Sequence, residues 1–342
     1  MTAAGTGTHT GTRTGRQLLV LVIGAAAVAT LPFILPPAQE AVAVRILIFA
    51  LMGVAWNVMS GYGGMFSFGH AAYFGLGAYA GGYLIVRHGV SPWIGMAVGA
   101  ALAAAFGVTT GFLAFRYRLK GAYFALATFA FAEMLHLLAL SFEPIEAAAG
   151  LNVPLLQGSS WWMLQFPPGS PNYFWAILAL TVLAVAATIA LLRSKSGGYV
   201  IAIREDEQAA SSLGIPVMRY KLLTVGVSAA MTAVAGAFYV QYYLYINPDL
   251  AFGSAVSIQA ILPSVIGGIG TIWGPLIGAA VLGPLSDVTA TLLRDPPAAL
   301  AFLEGRSGLD VILYAALLIV IVLALPKGVY GALRSYFARG ST

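Results

Sequence analysis

Apolar residues in this chain come in long unbroken runs, not in alternation with polar ones. The runs lie near Gln17–Leu35, Ala41–Ser60, Ala71–Arg87, Pro92–Phe115, Gly121–Ser141, Tyr173–Leu192, Leu222–Tyr245, Ala255–Gly267, Gly274–Leu292 and Leu309–Leu325. Most span about 18 to 25 residues, which a helix needs to cross about 30 Å of hydrocarbon, and a membrane barrel would show period-two alternation instead. The pattern predicts an all-α polytopic transmembrane bundle of about eight to ten spans. Ala255–Gly267 is shorter, about 20 Å at 1.5 Å per residue. With Gly274–Leu292 it makes either two crossings or one re-entrant pair. Gln17–Leu35 could be a signal peptide, but its length and the Pro36-Pro37 turn after it favour a retained helix.

Composition strengthens this picture. The chain is 60% hydrophobic and 8% charged, more apolar surface than a soluble core can bury. The net charge of +5 would suit nucleic acid, yet the basic residues sort by membrane side. With the N-terminus inside, thirteen of the seventeen Lys and Arg fall in cytoplasmic segments. That bias predicts N-in, C-in. Residues 1–16 then form a disordered cytoplasmic arm, 17–325 the membrane domain, and 326–342 a cytoplasmic tail. Residues 142–172 make the external loop, where Trp161 and Trp162 suit the headgroup level. The lack of Cys excludes a disulfide framework or thiolate site.

Charge gathers in one place. Arg193–Lys221 carries eight of the 29 charged residues, and apolar runs flank it on both sides. Within it, acids at Glu205–Glu207 sit where a helix dipole favours negative charge, and Gly214 followed by Pro216 marks a stop. This predicts a short helix whose Ala209, Ala210 and Leu213 share a face that another protein could approach, with Glu207 at the water-facing edge. The plainer alternative is a solvated connector lying on the membrane.

Two further stretches are glycine-rich. Ser60–Gly82 and Val265–Gly283 each interrupt an apolar run, the pattern of broken helices lining a transport site. Read more simply, pairs such as Gly77 and Gly81, Gly95 and Gly99, Gly107 and Gly111, and Gly274 and Gly278 are close-packing faces. Polar groups within spans are costly, so Asn57, Ser67, His70, Glu133, His136 and Gln259, read as buried, are candidates for a substrate pathway, together with Gly69, Gly267 and Gly268 of the glycine-rich breaks. Glu133 and His136 stand three apart on one helix face and can pair, while Arg45 and Asp287 are neutralised either by each other or by a partner subunit. No Lys follows a Gly, so there is no phosphate-cradling loop, and neither a G-x-S-x-G turn nor HExxH spacing occurs. The residues therefore point to a transport subunit, not an enzyme, with no metal site.

Leu47–Ala80, ATFAFAEMLH (Ala127–His136), AIREDEQAASSLGIPVMRYKLL (Ala202–Leu223) and VIGGIGTIWGPLIGA (Val265–Ala279) together resemble the branched-chain amino acid ABC importer permeases, of the LivM-like branch. The resemblance implies that Arg204, Glu205, Glu207, Ala209, Ala210 and Gly214 belong to a coupling helix docked on an ATPase subunit. It also implies a second, homologous LivH-like permease, two ATPase subunits that hold ATP and Mg, and a periplasmic solute-binding protein, in a bacterial inner membrane. The cargo implied is a branched-chain amino acid, with urea, an amide or another small carboxylate as the alternative, because EAAAGLNVP (Glu146–Pro154), His136 and Met65 depart from the usual pattern. A stand-alone secondary transporter or channel using Glu133 and His136 is the alternative of another class.

Overall fold

The computed structural model describes residues 9–155, 160–167, 169–294, 309–325 and 328–339. Each of the ten apolar runs is helical. Helix α1 covers His9–Ala29, α2 Pro37–Trp56, α3 His70–His88, α4 Pro92–Arg116, α5 Ala122–Ser141 and α6 Asn172–Arg193. After α7 (Lys195–Glu205) and α8 (Glu207–Ser212) come α9 (Val217–Tyr243), α10 (Pro248–Phe252), α11 (Ser254–Gly267), α12 (Gly274–Arg294), α13 (Leu309–Ala324) and α14 (Gly328–Arg339). Six described segments are long and apolar enough to cross a membrane: Pro37–Tyr62, Pro92–Arg116, Ala122–Ser141, Asn172–Arg193, Val217–Tyr243 and Pro248–Gly267. The last corrects an expectation, because α10 extends the short run Ala255–Gly267 to 20 residues. Helix α1 likewise starts at His9, inside the segment expected as a disordered arm. The first eight residues of that arm, Arg306 and Lys327 lie outside the described residues.

Helix α2 is the centre of the bundle. Its span is 78% buried against 28% for α5, and its Trp56 is fully enclosed with Phe174 of α6 and Phe238 of α9. Beside it, α3, α4 and α9 meet through small residues. A Cβ on Gly99 would stand 2.9 Å from Gly77 Cα, one on Gly95 2.9 Å from Gly81 Cα, and one on Gly81 3.3 Å from Ala237 Cβ. Backbones this close need small residues at the crossing, so the close-packing reading of these pairs holds. On the other side of α2, α11 and α12 form a hairpin that turns at residues 268–273, with Gly278 set against Pro263. The expected pairing of Arg45 with Asp287 ties α12 to α2 at 3.6 Å.

The segment 142–172 is fastened to the bundle. Its two-residue strand β1 (Leu151–Asn152) pairs antiparallel with β2 (Tyr245–Ile246), with Leu151 opposite Ile246. Ser91 Oγ donates to the Trp162 carbonyl at 2.5 Å and Trp93 Nε1 to the Trp161 carbonyl at 2.7 Å. Both Trp rings stay largely exposed, as residues at a headgroup level would be.

Candidate functional site

The charged segment folds as an arm of two helices, where one was expected. Ser194 Oγ accepts from Gly197 N and starts α7, whose Val200 and Ile203 are buried. At Asp206 the backbone turns extended, and the Asp206 carboxylate accepts from Gln208 N at 2.8 Å and Ala209 N at 2.9 Å. An aspartate in this geometry starts a new helix instead of continuing the old one. The stop falls where the sequence places it. Gly214 is left-handed at φ +81°, and Ile215 N reaches back to the Ala210 carbonyl at 3.1 Å, closing the last turn.

This break redistributes the expected coupling residues. Ala210 is buried at 3% exposure and packs inward, so it is not part of an outward small-residue face. What faces out on α8 is Gln208, Ala209, Ser211 and Ser212, with Leu213 at the tip, 82% exposed. Glu207 is not a free edge residue either. Its Oε2 lies 3.0 Å from Lys120 Nζ, in the turn between α4 and α5, and 2.9 Å from Lys221 Nζ, in the first turns of α9. Burial alone would raise the Glu207 carboxyl, but Lys221 and Lys120 more than offset it and hold it below the ordinary carboxylate value. Lys221 also stands over the Phe115 ring, 5.3 Å from its centre.

Arg204 and Glu205 sit on the other side of the Asp206 kink, where Arg204 reaches back to the protein and Glu205 stays largely exposed beside it. Arg204 Nη1 donates to the Gly61 carbonyl at 3.1 Å while its other nitrogens pair with Glu205. Gly61 lies in the first of the two expected helix breaks. There α2 loosens into a π-turn over Asn57–Tyr62, then runs without regular helix to His70. Such wide turns mark places where a helix trades regularity for function. Gly64 is left-handed at φ +68°, and a Cβ there would stand 2.6 Å from Arg204 Cγ, so the arm lies directly on the break.

The second break, residues 268–273, touches the first. Asn57 Nδ2 donates to the Thr271 carbonyl at 2.8 Å and Asn57 Oδ1 accepts from Gly270 N at 2.8 Å. One buried carboxamide therefore satisfies backbone groups that the interrupted α11–α12 hairpin leaves open. Gly267 and Gly268 form the near side of that turn, where a Cβ on Gly267 would run into the Gly274 carbonyl oxygen. A cleft of about 200 Å³ opens between the arm and the first break, lined by Gly64, Phe66, Lys120, Arg204 and Glu207.

The other pathway candidates divide. Ser67 and His70 are fully buried beside the first break. Trp56 Nε1 donates to the Ser67 carbonyl at 2.9 Å, and Gly69 N donates to Ser67 Oγ at 3.1 Å. Gly69 is pressed against the Thr128 backbone of α5. Ser228 Oγ donates to the Ala55 carbonyl at 2.7 Å, which leaves His70 Nε2 as the donor to Ser228 Oγ at 3.0 Å. His70 Nδ1 is then an acceptor, buried with no hydrogen-bond partner. Glu133 and His136 do pair, at 3.3 Å, but far along α5 toward the opposite end, where His136 Nε2 also meets Asp249 Oδ1 at 2.9 Å. Gln259, expected to be buried, is exposed on α11. The sequence pattern did not single out Lys120, Lys221, Thr271 or Asp249 as partners, because each acts on a residue distant in the chain.

Comparison with known proteins adds the lineage. The family of branched-chain amino acid transport system permease components matches residues 39–323. The high-affinity branched-chain amino acid transport permease LivM of Escherichia coli (strain K12) is 28% identical over 304 residues, covering 82% of this chain and 70% of that protein. LivH of Salmonella typhimurium, a permease of the same description, is 28% identical over 302 residues, covering 83% of this chain and 91% of that protein. BraD of Pseudomonas aeruginosa, again described as a high-affinity branched-chain amino acid transport permease, is 31% identical over 144 residues, 42% of each chain.

Proposed function

The chain belongs to the family of permease components of branched-chain amino acid transport systems, and from that premise we propose that its arm is the contact through which ATP hydrolysis on partner subunits drives the passage of a branched-chain amino acid. In this reading two ATPase subunits carry the ATP and Mg, a LivH-like permease completes the pathway, and a periplasmic binding protein delivers the solute. The arm lies on the cytoplasmic side, where the sorting of basic residues puts it.

The observation that carries the proposal is the chain of contacts leading from α8 into both helix breaks. An ATPase subunit that grips Ala209, Ser212 and Leu213 displaces α8. Glu207 passes that displacement to α9 and to the α4–α5 turn through its two lysines. Arg204 passes it to the α2–α3 break through the Gly61 carbonyl, and Asn57 ties that break to the α11–α12 turn. Both interruptions therefore move with the arm. The permease need not hold solute tightly, since affinity can reside in the binding protein.

The test is a reconstituted complex of both permeases, the ATPase subunits and a leucine-loaded binding protein. Leu213→Asp should lower stimulated ATP turnover at least tenfold, by placing a charge in the docking contact, while the permease still purifies in normal yield. Gradient-driven uptake by this chain alone, indifferent to Leu213→Asp, would overturn the proposal.

A further inference from the structure

Arg45 is the one cation that the sequence sets within a span, eight residues into α2, about 12 Å from its start. A guanidinium at such a depth is tolerated where it faces a polar cavity or a partner. Asp287 is a loose partner, since 3.6 Å is beyond hydrogen-bonding distance and both side chains keep solvent access. The donors of Arg45 therefore remain available for a planar, doubly accepting group.

Arg45 lines a cavity of about 270 Å³ that has the mixed character of one chemical class of ligand. Asp249 contributes a carboxylate that is 72% exposed and is oriented from behind by His136 Nε2 at 2.9 Å. The rest of the lining is mostly apolar, mixing aliphatic Ile48, Leu250 and Val256 with the rings of Phe74, Tyr239 and Tyr243, and Gln259 adds an amide. This explains why Gln259 faces open space although the sequence suggested burial. A cation, an anion and a largely apolar wall around one cavity match a zwitterion with a hydrophobic side chain. Neither an uncharged amide nor a simple cation would use all three.

We propose that this cavity is a solute subsite on the outer side of the pathway, in which Arg45 receives the α-carboxylate and Asp249 the α-ammonium of an aliphatic amino acid. His136 is a positioning residue that holds Asp249. The proposal rests on the importer reading above and adds to it a place where cargo released by the binding protein is first held. Asp287 gives up its loose hold on Arg45 when the solute carboxylate arrives.

The experiment uses the full complex in proteoliposomes with leucine-loaded binding protein, measuring leucine uptake and ATP turnover in the same samples. Arg45→Gln should lower uptake at least tenfold while stimulated ATP turnover stays within twofold, whereas a merely structural role would lower both together. Arg45→Lys should recover part of the uptake. Asp249→Asn, at a side chain that is largely exposed, should lower uptake at least threefold with the same split. Uptake unchanged in both Arg45→Gln and Asp249→Asn, or lost only in step with ATP turnover, overturns the subsite. If the unsubstituted complex shows no stimulated turnover, the importer reading fails first.

Discussion

Glu207 is fixed by two lysines drawn from distant parts of the chain, while Gly267, in the break that the arm reaches through Arg204 and Asn57, is fixed by having no side chain at all. The arm is a charged structure in water, so its contacts are individually weak, screened by salt and sensitive to pH. The breaks are steric structures, where close backbone approach leaves no room for a side chain and the buried Asn57 carboxamide serves backbone groups of the turn. A part that must move and a part that must stay closed are thus built from different forces. Substitutions in the breaks should act as near all-or-none failures of folding, and those in the arm as graded failures of transmission.

The largest effect should come from filling the close approach of the two helices beside a break. Gly278→Val would drive a side chain into the Pro263 carbonyl oxygen across the α11–α12 hairpin. Overpacking at a rigid backbone contact costs about 1–3 kcal/mol or more, so loss of monodisperse protein in fluorescence-detected gel filtration is expected. Normal yield and melting temperature would mean that the two helices are not in contact there. Next in size is Asn57→Ala, which strips partners from Gly270 N and the Thr271 carbonyl. Leaving buried backbone groups unpaired costs about 1–3 kcal/mol, a clear drop in melting temperature. Asn57→Asp keeps an acceptor for Gly270 N but meets the Thr271 carbonyl with a second acceptor. It should therefore rescue little.

How far the sequence anticipated this follows the same division. Helix positions were legible because a membrane span is a local property, long and apolar, and the Gly-rich interruptions were legible because glycine in an apolar run is a local anomaly. The stop at Gly214 was legible for the same reason. The kink at Asp206 was signalled too, since an aspartate ahead of Glu207 is a helix-starting residue, but three adjacent acids also suit the first turn of one longer helix. What no local pattern carries is partnership across the chain. Lys120 and Lys221 converge on Glu207, Asn57 spans to Thr271, and Arg204 turns inward instead of toward a partner. Gln259 was misjudged because its apolar neighbours suggest burial, while the cavity it faces is completed by residues of α2, α3, α9 and α10.

Smaller effects test the arm. Glu207→Gln removes both ion pairs at a partly exposed site, so stability should fall by no more than about 1 kcal/mol while stimulated ATP turnover falls severalfold. Acid should mimic it. The Glu207 carboxyl is held below its ordinary value of 4.5, so the anchoring is fully present above that value and is lost as pH falls through the lowered one. Hydrogen exchange across residues 207–212, corrected for its intrinsic pH dependence, should therefore speed up in the native chain only after the pH has fallen below that ordinary value. Glu207→Gln should already exchange fast at neutral pH, with no further acid step. An acid step of equal size in that variant would assign the effect to another group.

The smallest prediction has the opposite sign. Gly198 lies in the second turn of α7, exposed, with no atom within 4 Å of the position a Cβ would take. Nothing in its environment requires glycine, and a helix interior disfavours it relative to alanine by about 1 kcal/mol. Gly198→Ala should therefore raise the melting temperature slightly and leave ATP turnover unchanged, whereas the same change at Gly197 would press on the Leu191 carbonyl where α6 ends. Two adjacent glycines would then respond in opposite directions. If Gly198→Ala instead lowered coupled turnover while stabilising the fold, α7 must bend during the cycle, and the arm would transmit by flexing and not as a lever.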